Sequence, residues 1–266
     1  MKTTSTMLVL LLPVLAFFSI AFSKPVETEV AAEYLAMADH SNPQEMLLTK
    51  ALEAHGWAAK EAVHYQFTFR KKRYTFFEDD KGNYRYTVTR KAEDQSIVET
   101  LTNQGFQRAV EGQAIDLSSE DVSRYSEALN SVIYFATLPH KLNDPAVIRA
   151  YGGTATVAGT TYELLEVSFK QAGGGKDYQD QFLYWVHRER GTIDYMAYNY
   201  QVIGGGVRFR KAFNPRTVAG IRFQDYENYK APVSTDLAQL PQLWEAGKLE
   251  LLSTIETADV ESITQP

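Results

Sequence analysis

The chain has 266 residues, of which 44% are hydrophobic and 23% are charged, and both fractions are typical of a globular protein with a sizeable core. Its 27 Lys and Arg against 33 Asp and Glu give a formal net charge of −6, which argues against a nucleic-acid partner because phosphate binding needs a basic surface. Cysteine is absent, which excludes disulfides, zinc thiolate sites, a cysteine nucleophile and the lipid anchor of a bacterial lipoprotein.

The first 23 residues have the parts of a secretory signal peptide. Lys2 is the only early charge, an apolar run covers residues 7–22, and small residues flank Ser23. The alternative is an uncleaved membrane anchor, but the run is shorter than the roughly 20 residues that a spanning helix needs, and Pro13 interrupts it. We predict cleavage after about Ser23, with no transmembrane anchor afterwards. Because secreted eukaryotic domains more often contain disulfides, we expect a periplasmic or extracellular bacterial protein.

The N-terminal half of the mature chain is predicted to be a tail, a helix and a run of strands. The tail covers residues 24–42, and the helix begins at Pro43, which suits a first turn, and closes at Gly56, which suits a left-handed cap. Strands with alternating apolar positions, separated by turn residues, are then predicted over 63–69, 84–88, 96–102 and 106–110.

A second helix is predicted in the middle of the chain, followed by a strand meander. Ser118 or Ser119 is the candidate N-cap, and Pro139 ends the helix before the ordered loop 138–145. The strands of the second half are predicted over 154–157, 162–169, 182–187, 192–200, 207–213 and 221–229. The last 36 residues, 231–266, are predicted to be a tail with a short helix around 240–252.

Consecutive hairpins of this kind build antiparallel sheets, so we predict an α+β fold, mainly antiparallel β, as a single domain over residues 43–230. The order of helix, four strands, helix and strand meander resembles the periplasmic lipoprotein carriers of the LolA and LppX-like fold. The similarity to the closing strands of that fold lies in 182–187, 193–200, 204–206, 207–213 and 220–223. It implies an incomplete β-barrel, or a strongly curved antiparallel sheet, wrapped around helices.

Three segments, 140–145, 173–178 and 208–215, more closely resemble a bacterial family of secreted proteins with no assigned function. This resemblance covers roughly residues 55–229. It implies a family and a fold, and a carrier role follows from it only by analogy.

Arginines and aromatic residues of the second half are the candidate ligand-binding residues. Arg208 and Arg210 lie two apart on one strand, so their side chains share a face, and Arg222 could join them from the next strand. Such a cluster could hold a carboxylate or phosphate headgroup, or it could be the wet outer face of the sheet.

Large aromatic side chains occupy both faces of these strands: Tyr184, Trp185, Tyr195, Tyr198, Tyr200, Phe209 and Phe223. All of them except Tyr195 are candidate ligand-binding residues. A strand with two apolar faces must bury both, one against helices and the other against a ligand, a partner or more of the same protein.

Residue patterns for catalysis and metal binding are weak. The five histidines, His40, His55, His64, His140 and His187, have no metal-ligand spacing, so no metal or other cofactor is predicted. The segment 173–176 lacks the Lys-Ser/Thr pair of a phosphate-binding loop and is interpreted as a flexible hairpin loop. Asp177 and Asp180 could act as an acid and base pair or bind a cation, although a solvated loop is the simpler interpretation.

Our principal hypothesis is an exported, non-catalytic binding or carrier protein that holds a lipid, an acyl chain or another apolar molecule in a half-barrel cavity. The alternatives are an envelope hydrolase that uses Asp177 and Asp180, and a scaffold with an envelope protein partner. An apolar cavity without buried carboxylates would favour the first hypothesis.

Overall fold

The computed structural model describes residues 42–58, 62–170, 179–201 and 204–263. The predicted signal peptide, nearly all of the predicted tail over 24–42, His40 and the glycine-rich segment with Asp177 lie outside these residues.

Three α-helices lie in the described part of the chain: α1 Pro43–Ala54, α2 Ser119–Ala136 and α3 Leu240–Glu245. Fourteen strands, numbered in chain order, lie in the same ranges: β1 Ala62–Phe69, β2 Lys72–Asp79, β3 Tyr84–Ala92, β4 Gln95–Thr102, β5 Gly105–Val110, β6 Gln113–Ile115, β7 Val147–Val157, β8 Thr160–Phe169, β9 Phe182–His187, β10 Ile193–Tyr200, β11 Gly206–Val218, β12 Ile221–Ala231, β13 Glu250–Ile255 and β14 Ala258–Ser262.

The strands form two open antiparallel sheets of seven strands each. The order is β14-β1-β2-β3-β4-β5-β6 in the first sheet and β13-β12-β11-β10-β9-β8-β7 in the second. Apart from β14, which pairs with β1, each sheet is a meander in which strands that follow one another in the chain pair, as the alternating apolar pattern predicts. The predicted α+β, mainly antiparallel fold is confirmed, and its strands are divided between two sheets.

The helices α1 and α2 cover one face of each sheet. Leu47, Leu48 and Ala51 of α1 pack with the second sheet, whereas Leu129 and Ile133 of α2 pack with the first. At the end of α1 the chain closely approaches the turn between β11 and β12, because a Cβ built on Gly56 would lie 1.9 Å from the Gly220 carbonyl oxygen. Gly56 also has a φ of +79°, so two constraints favour glycine there.

The other face of the second sheet is covered by the C-terminal segment. Leu240 is fully buried against Trp185 and Phe209, with Leu243 and Trp244 packed around it. Because this segment contributes its own apolar residues, the protein itself buries the second aromatic face of β9, β10 and β11. The sequence left open whether a ligand, a partner or another part of the chain covers this second face, and in the structure another part of the chain covers it.

Residues 231–266, predicted to be a tail with a short helix, contain α3 and also two strands. β13 pairs with β12 in the second sheet, and β14 pairs with β1 in the first, so this segment joins the edges of both sheets. The strands escaped the sequence analysis because Leu251 and Leu252 are both exposed and the segment lacks a regular apolar alternation. The chain changes sheets at Thr257, whose N–H donates to Asp225 Oδ1 at 3.0 Å.

One strand of the first sheet was also missing from the sequence analysis. β2 follows β1 directly through a two-residue turn at Arg70 and Lys71, whose φ angles are +48° and +62°. Such turns favour glycine and asparagine, and the absence of both here hid the turn.

Candidate functional site

A cavity of about 250 Å³ lies between α2 and the second sheet. Its lining comes from the end of β1, the second half of α2, the sheet face that faces the helices, and the C-terminal strands. The lining residues are Phe69, Arg70, Ser131, Val132, Phe135, Ala136, Tyr198, Arg210, Gln224, Tyr226, Asn228, Ile255 and Thr257. None of these residues is acidic.

The helical wall exists because α2 has a strong start and two apolar faces. Ser118 caps the helix by accepting a hydrogen bond from the Asp121 N–H at 3.1 Å, and Glu120 adds a negative charge in the first turn. Ile133 is fully buried against the first sheet, whereas Phe135 packs towards the second. The helix therefore lies between the two sheets and presents Phe135 to the cavity.

The sheet wall is set by the register of three neighbouring strands. Arg210 on β11 lies directly opposite Asn228 on β12 and Met196 on β10. Because side chains two residues apart share a face, Gln224 and Tyr226 line the same wall as Asn228. The wall is thus aromatic with three polar side chains placed close together.

Arg210 is the charged group of this wall and is only 7% exposed. Its Nη2 donates to the Tyr198 hydroxyl at 2.9 Å, and its Cζ lies 3.9 Å from the centroid of the Phe135 ring. Among the described residues, its Nε and Nη1 have no hydrogen-bond partner. None of the ion pairs between described residues includes Arg210.

Asn228 has an incomplete set of hydrogen bonds as well. Its Nδ2 donates to Ser253 Oγ at 3.2 Å, while its Oδ1 has no partner among the described residues. A serine hydroxyl both donates and accepts, so the amide can turn over, keep the Ser253 contact and present Nδ2 to the cavity instead.

Three buried tyrosines near Arg210, Tyr134, Tyr184 and Tyr226, are neutral hydrogen-bonding groups. Burial raises the pKa of Tyr226, and it raises the pKa of Tyr184 well above its usual value. The Tyr184 and Tyr134 hydroxyls are 2.8 Å apart, and burial raises the pKa of Tyr134 too. The surroundings of Arg210 therefore supply no negative charge from these phenols at neutral pH.

Two of the nine candidate ligand-binding residues, Tyr198 and Arg210, line the cavity. Four others are packed in the protein core: Tyr184, Trp185, Phe209 and Phe223. Tyr184 packs with Tyr134 beside the cavity wall. Trp185 and Phe209 lie beneath α3, whereas Phe223 packs on Tyr65 of the first sheet.

The remaining three candidates lie near the wall or away from it. Arg208 Nη2 donates to the Tyr200 hydroxyl at 2.6 Å, and neither residue lines the cavity. Arg222 lies opposite Thr217, seven positions along β11 from Arg210, and lines a separate cavity of about 210 Å³ with Asp194 and Lys211. The expected cluster of three arginines is therefore not formed, because the register separates Arg222 from the other two.

The residues that α2 and the C-terminal strands contribute to the cavity were not among the candidates predicted from the sequence. Phe135 lies off the face of α2 that carries Leu129 and Ile133, and a large aromatic residue off that face signals a second buried face. Ile255 and Thr257 belong to the segment that was predicted to be a tail.

Of the two aspartates of the catalytic alternative, the structure describes only Asp180. Asp180 is 6% exposed and does not line this cavity, and Asp177 lies outside the described residues. Over the same described ranges, no three His, Asp or Glu side chains are placed to hold a metal ion. Likewise, the helices described here include none that is long and apolar enough to span a membrane.

Fold and site together define an α+β protein of two open antiparallel sheets that enclose a small, largely apolar cavity with one buried arginine. The chain belongs to DUF6503, a family of unknown function, whose match covers residues 34–257. The prediction of a family without an assigned function is confirmed. No curated protein matches the chain.

Similar solved structures include a LolA superfamily protein from Nitrosomonas europaea, with 13% identity, a TM-score of 0.47, and coverage of 84% of this chain and 94% of that one. A DUF1329 family protein from Desulfovibrio piger has 10% identity, a TM-score of 0.45, and the same two coverages, 84% and 94%. The lipoprotein LppX from Mycobacterium tuberculosis has 11% identity, a TM-score of 0.28, and coverage of 63% and 92%.

Proposed function

We propose that this protein is a non-catalytic binding or carrier protein that holds a lipid, an acyl chain or another apolar molecule in the cavity beside α2. The observation that carries this proposal is a cavity with Val132, Phe135, Tyr198, Tyr226 and Ile255 in its walls and no carboxylate in its lining. Small-molecule sites are mostly apolar hollows with a few polar groups that orient the ligand, and this cavity has that composition.

The size of the cavity suits part of a chain-like ligand. Its volume of about 250 Å³ is near the lower end of small-molecule sites. A groove of about 660 Å³ continues along the N-terminal half of α2 and shares Phe69, Arg70 and Val132 with the cavity. A longer ligand can therefore extend from the cavity past Val132 into this groove.

Export belongs to the same proposal. A protein that shields an apolar molecule is useful where the molecule must cross an aqueous compartment, and the sequence of residues 1–23 predicts such a compartment. We propose that the protein works in the periplasm or outside a bacterial cell, with a lipid or lipoprotein acyl chain as its ligand. An envelope protein would serve as donor or acceptor of that ligand.

Filling the cavity tests this function. The mature chain from Lys24, with the apolar dye N-phenylnaphthylamine as probe, is titrated with hexadecanol and hexadecanoate. We expect wild-type protein to bind the dye and both compounds to displace it. Val132→Trp replaces a small side chain of the cavity wall by an indole ring that fills the cavity. The affinity of this variant for the dye is therefore expected to fall at least tenfold.

The matched control is Val233→Trp, at a position that is 60% exposed and outside the cavity lining. It is expected to bind like wild type, and thermal unfolding shows whether both variants fold. Equal binding by the two variants, or no binding by folded wild-type protein, would contradict the proposal.

A further inference from the structure

The cavity contains a cation with unused hydrogen-bond donors. Arg210 is more than nine-tenths buried, and two of its three guanidinium nitrogens, Nε and Nη1, have no partner among the described residues. A planar guanidinium presents its donors as a fork that matches the two oxygens of a carboxylate or phosphate. Tyr198 accepts from one of the two N–H groups of Nη2. The other N–H of Nη2 lies parallel to an N–H of either Nε or Nη1, so one complete fork remains without a partner among the described residues.

Burial of such a group without a counter-charge costs free energy in the empty protein. The Phe135 ring, 3.9 Å from Arg210 Cζ, offsets a part of this cost through a cation–π contact. Buried charges are otherwise paired or hydrogen-bonded, and the described residues that line the cavity include no carboxylate. An anionic group on the ligand would complete the site.

The approach to the cavity is also electropositive, in a chain whose net charge is −6. The neighbouring groove of about 660 Å³ is lined by six basic side chains and one acidic one. The basic residues are Arg70, Lys71, Lys72, Arg90, Lys91 and Arg124. The acidic residue, Glu99, is already paired with Arg90 and Arg108. Charges of one sign along a cleft concentrate ligands of the opposite sign.

We infer that the ligand is an anionic amphiphile whose carboxylate or phosphate oxygens bind the donor fork that Nη2 of Arg210 forms with Nε or with Nη1, while its apolar part occupies the cavity and the adjoining groove. This inference rests on the proposed function and narrows it to one chemical class. When the amide of Asn228, directly opposite Arg210, turns over and keeps its Ser253 contact through Oδ1, its Nδ2 can donate a further hydrogen bond to the same anionic group.

The test compares ligands that differ in charge at one end only. Dissociation constants of hexadecanoate, hexadecyl phosphate and hexadecanol are measured by dye displacement on the mature wild-type chain. We expect each anion to bind at least about tenfold more tightly than the alcohol, as one charge-assisted pair predicts. Acetate and inorganic phosphate, which lack the apolar part, are expected not to displace the dye at millimolar concentration.

Arg210→Met removes the charge and keeps a long apolar side chain. Hexadecanoate is expected to lose at least tenfold in affinity for this variant, whereas hexadecanol keeps its wild-type affinity. Arg208→Met is the matched control on the same strand face; it is expected to preserve the preference because Arg208 bonds to Tyr200 and lies outside the cavity lining.

Each remaining outcome contradicts a separate statement. Equal affinity for alcohol and anions overturns the inference and leaves the proposed function standing, whereas the absence of binding by all three amphiphiles overturns both. If acetate or inorganic phosphate, without an apolar part, displaces the dye, the claim that the ligand is an amphiphile is overturned. If Arg210→Met does not fold, Arg210→Lys keeps the charge with a different donor geometry, and an unchanged preference in a folded Lys variant contradicts the bidentate contact.

Discussion

The buried charge of Arg210 lowers the stability of the ligand-free protein because no anion pairs with it, and a bound anion would remove this loss. We therefore expect Arg210→Met to raise the unfolding temperature of the ligand-free protein by about 2 °C or more, because methionine fills a similar volume without desolvating a charge. Differential scanning calorimetry on delipidated protein measures the effect. A lower unfolding temperature for the variant would mean that the Tyr198 and Phe135 contacts outweigh the desolvation, and that Arg210 has a structural role.

His55 makes the stability of the fold depend on pH. Burial, and then the charge of Arg222, lower its pKa from 6.5 to about 3, and its neutral Nε2 accepts a hydrogen bond from the Ile193 N–H at 3.1 Å. In the unfolded chain the His55 imidazole binds a proton as the pH falls below 6.5, whereas in the folded chain it stays neutral down to about pH 3. Stability is therefore lost as the pH falls through this window, by about 2 kcal/mol between pH 6.5 and 5.

Urea unfolding of wild type and His55→Gln at pH 7 and pH 5 checks this effect. Glutamine can accept the Ile193 hydrogen bond but does not titrate, so its stability is expected to change less across the window. An equal loss in both proteins would assign the acid sensitivity to other groups.

Glu78 is one such group, but its pKa is lowered to about 2, so its contribution to stability is lost only as the pH falls below about 4.5. Burial opposes this shift, and the His140 hydrogen bond and the charge of Lys141 outweigh it.

At the scale of elements, α3 protects the second sheet from solvent. Leu240 is fully buried against β9 to β11. We expect Leu240→Ala to destabilise the protein by about 3 kcal/mol through the cavity that it leaves. Leu251→Ala, at a position that is 54% exposed, is the control and is expected to change stability by less than about 0.5 kcal/mol. Similar losses for both, measured by urea unfolding, would contradict the packing role of α3.

The sequence predicted most elements because their signals are local. The cap at Ser118 and the alternation over 63–69 reflect short-range chemistry, and both agree with the structure. The turn at Arg70 and Lys71 was missed because these residues adopt left-handed backbone without the usual composition. β13 and β14 were missed because their strand pairing, rather than their apolar pattern, defines them.

The cavity was less predictable than the elements for a physical reason. Arg210 and Tyr198 were identified from strand parity, which fixes the face of each side chain. Whether that face is wet, packed or hollow depends on how α2 lies between the sheets, and no local pattern encodes that placement. The separation of Arg222 from Arg210 likewise follows from strand register, which the sequence left open.

The charge distribution of the whole molecule predicts how anionic ligands arrive. Lys71 and Lys72 lie exposed at the basic groove, and none of the ion pairs between described residues includes them. We expect the double variant Lys71→Gln and Lys72→Gln to slow the association of hexadecanoate severalfold at low ionic strength and little at 0.5 M salt. Stopped-flow fluorescence measures the rate.

The control for this prediction removes two exposed lysines elsewhere, Lys81 and Lys248, and changes the net charge equally. It is expected to associate at nearly the wild-type rate. Equal slowing in both double variants would show that net charge, rather than the groove, governs association.

The central claim concerns the molecule as exported: its cavity holds an apolar ligand with an anionic end. Native mass spectrometry of the mature protein from its own periplasmic or secreted fraction, with organic extraction of bound material, tests this claim most directly. The account predicts one stoichiometric anionic lipid on wild-type protein, and much less on Val132→Trp and Arg210→Met. A ligand-free mass for folded wild-type protein that stays unchanged after incubation with hexadecanoate and hexadecanol would contradict it.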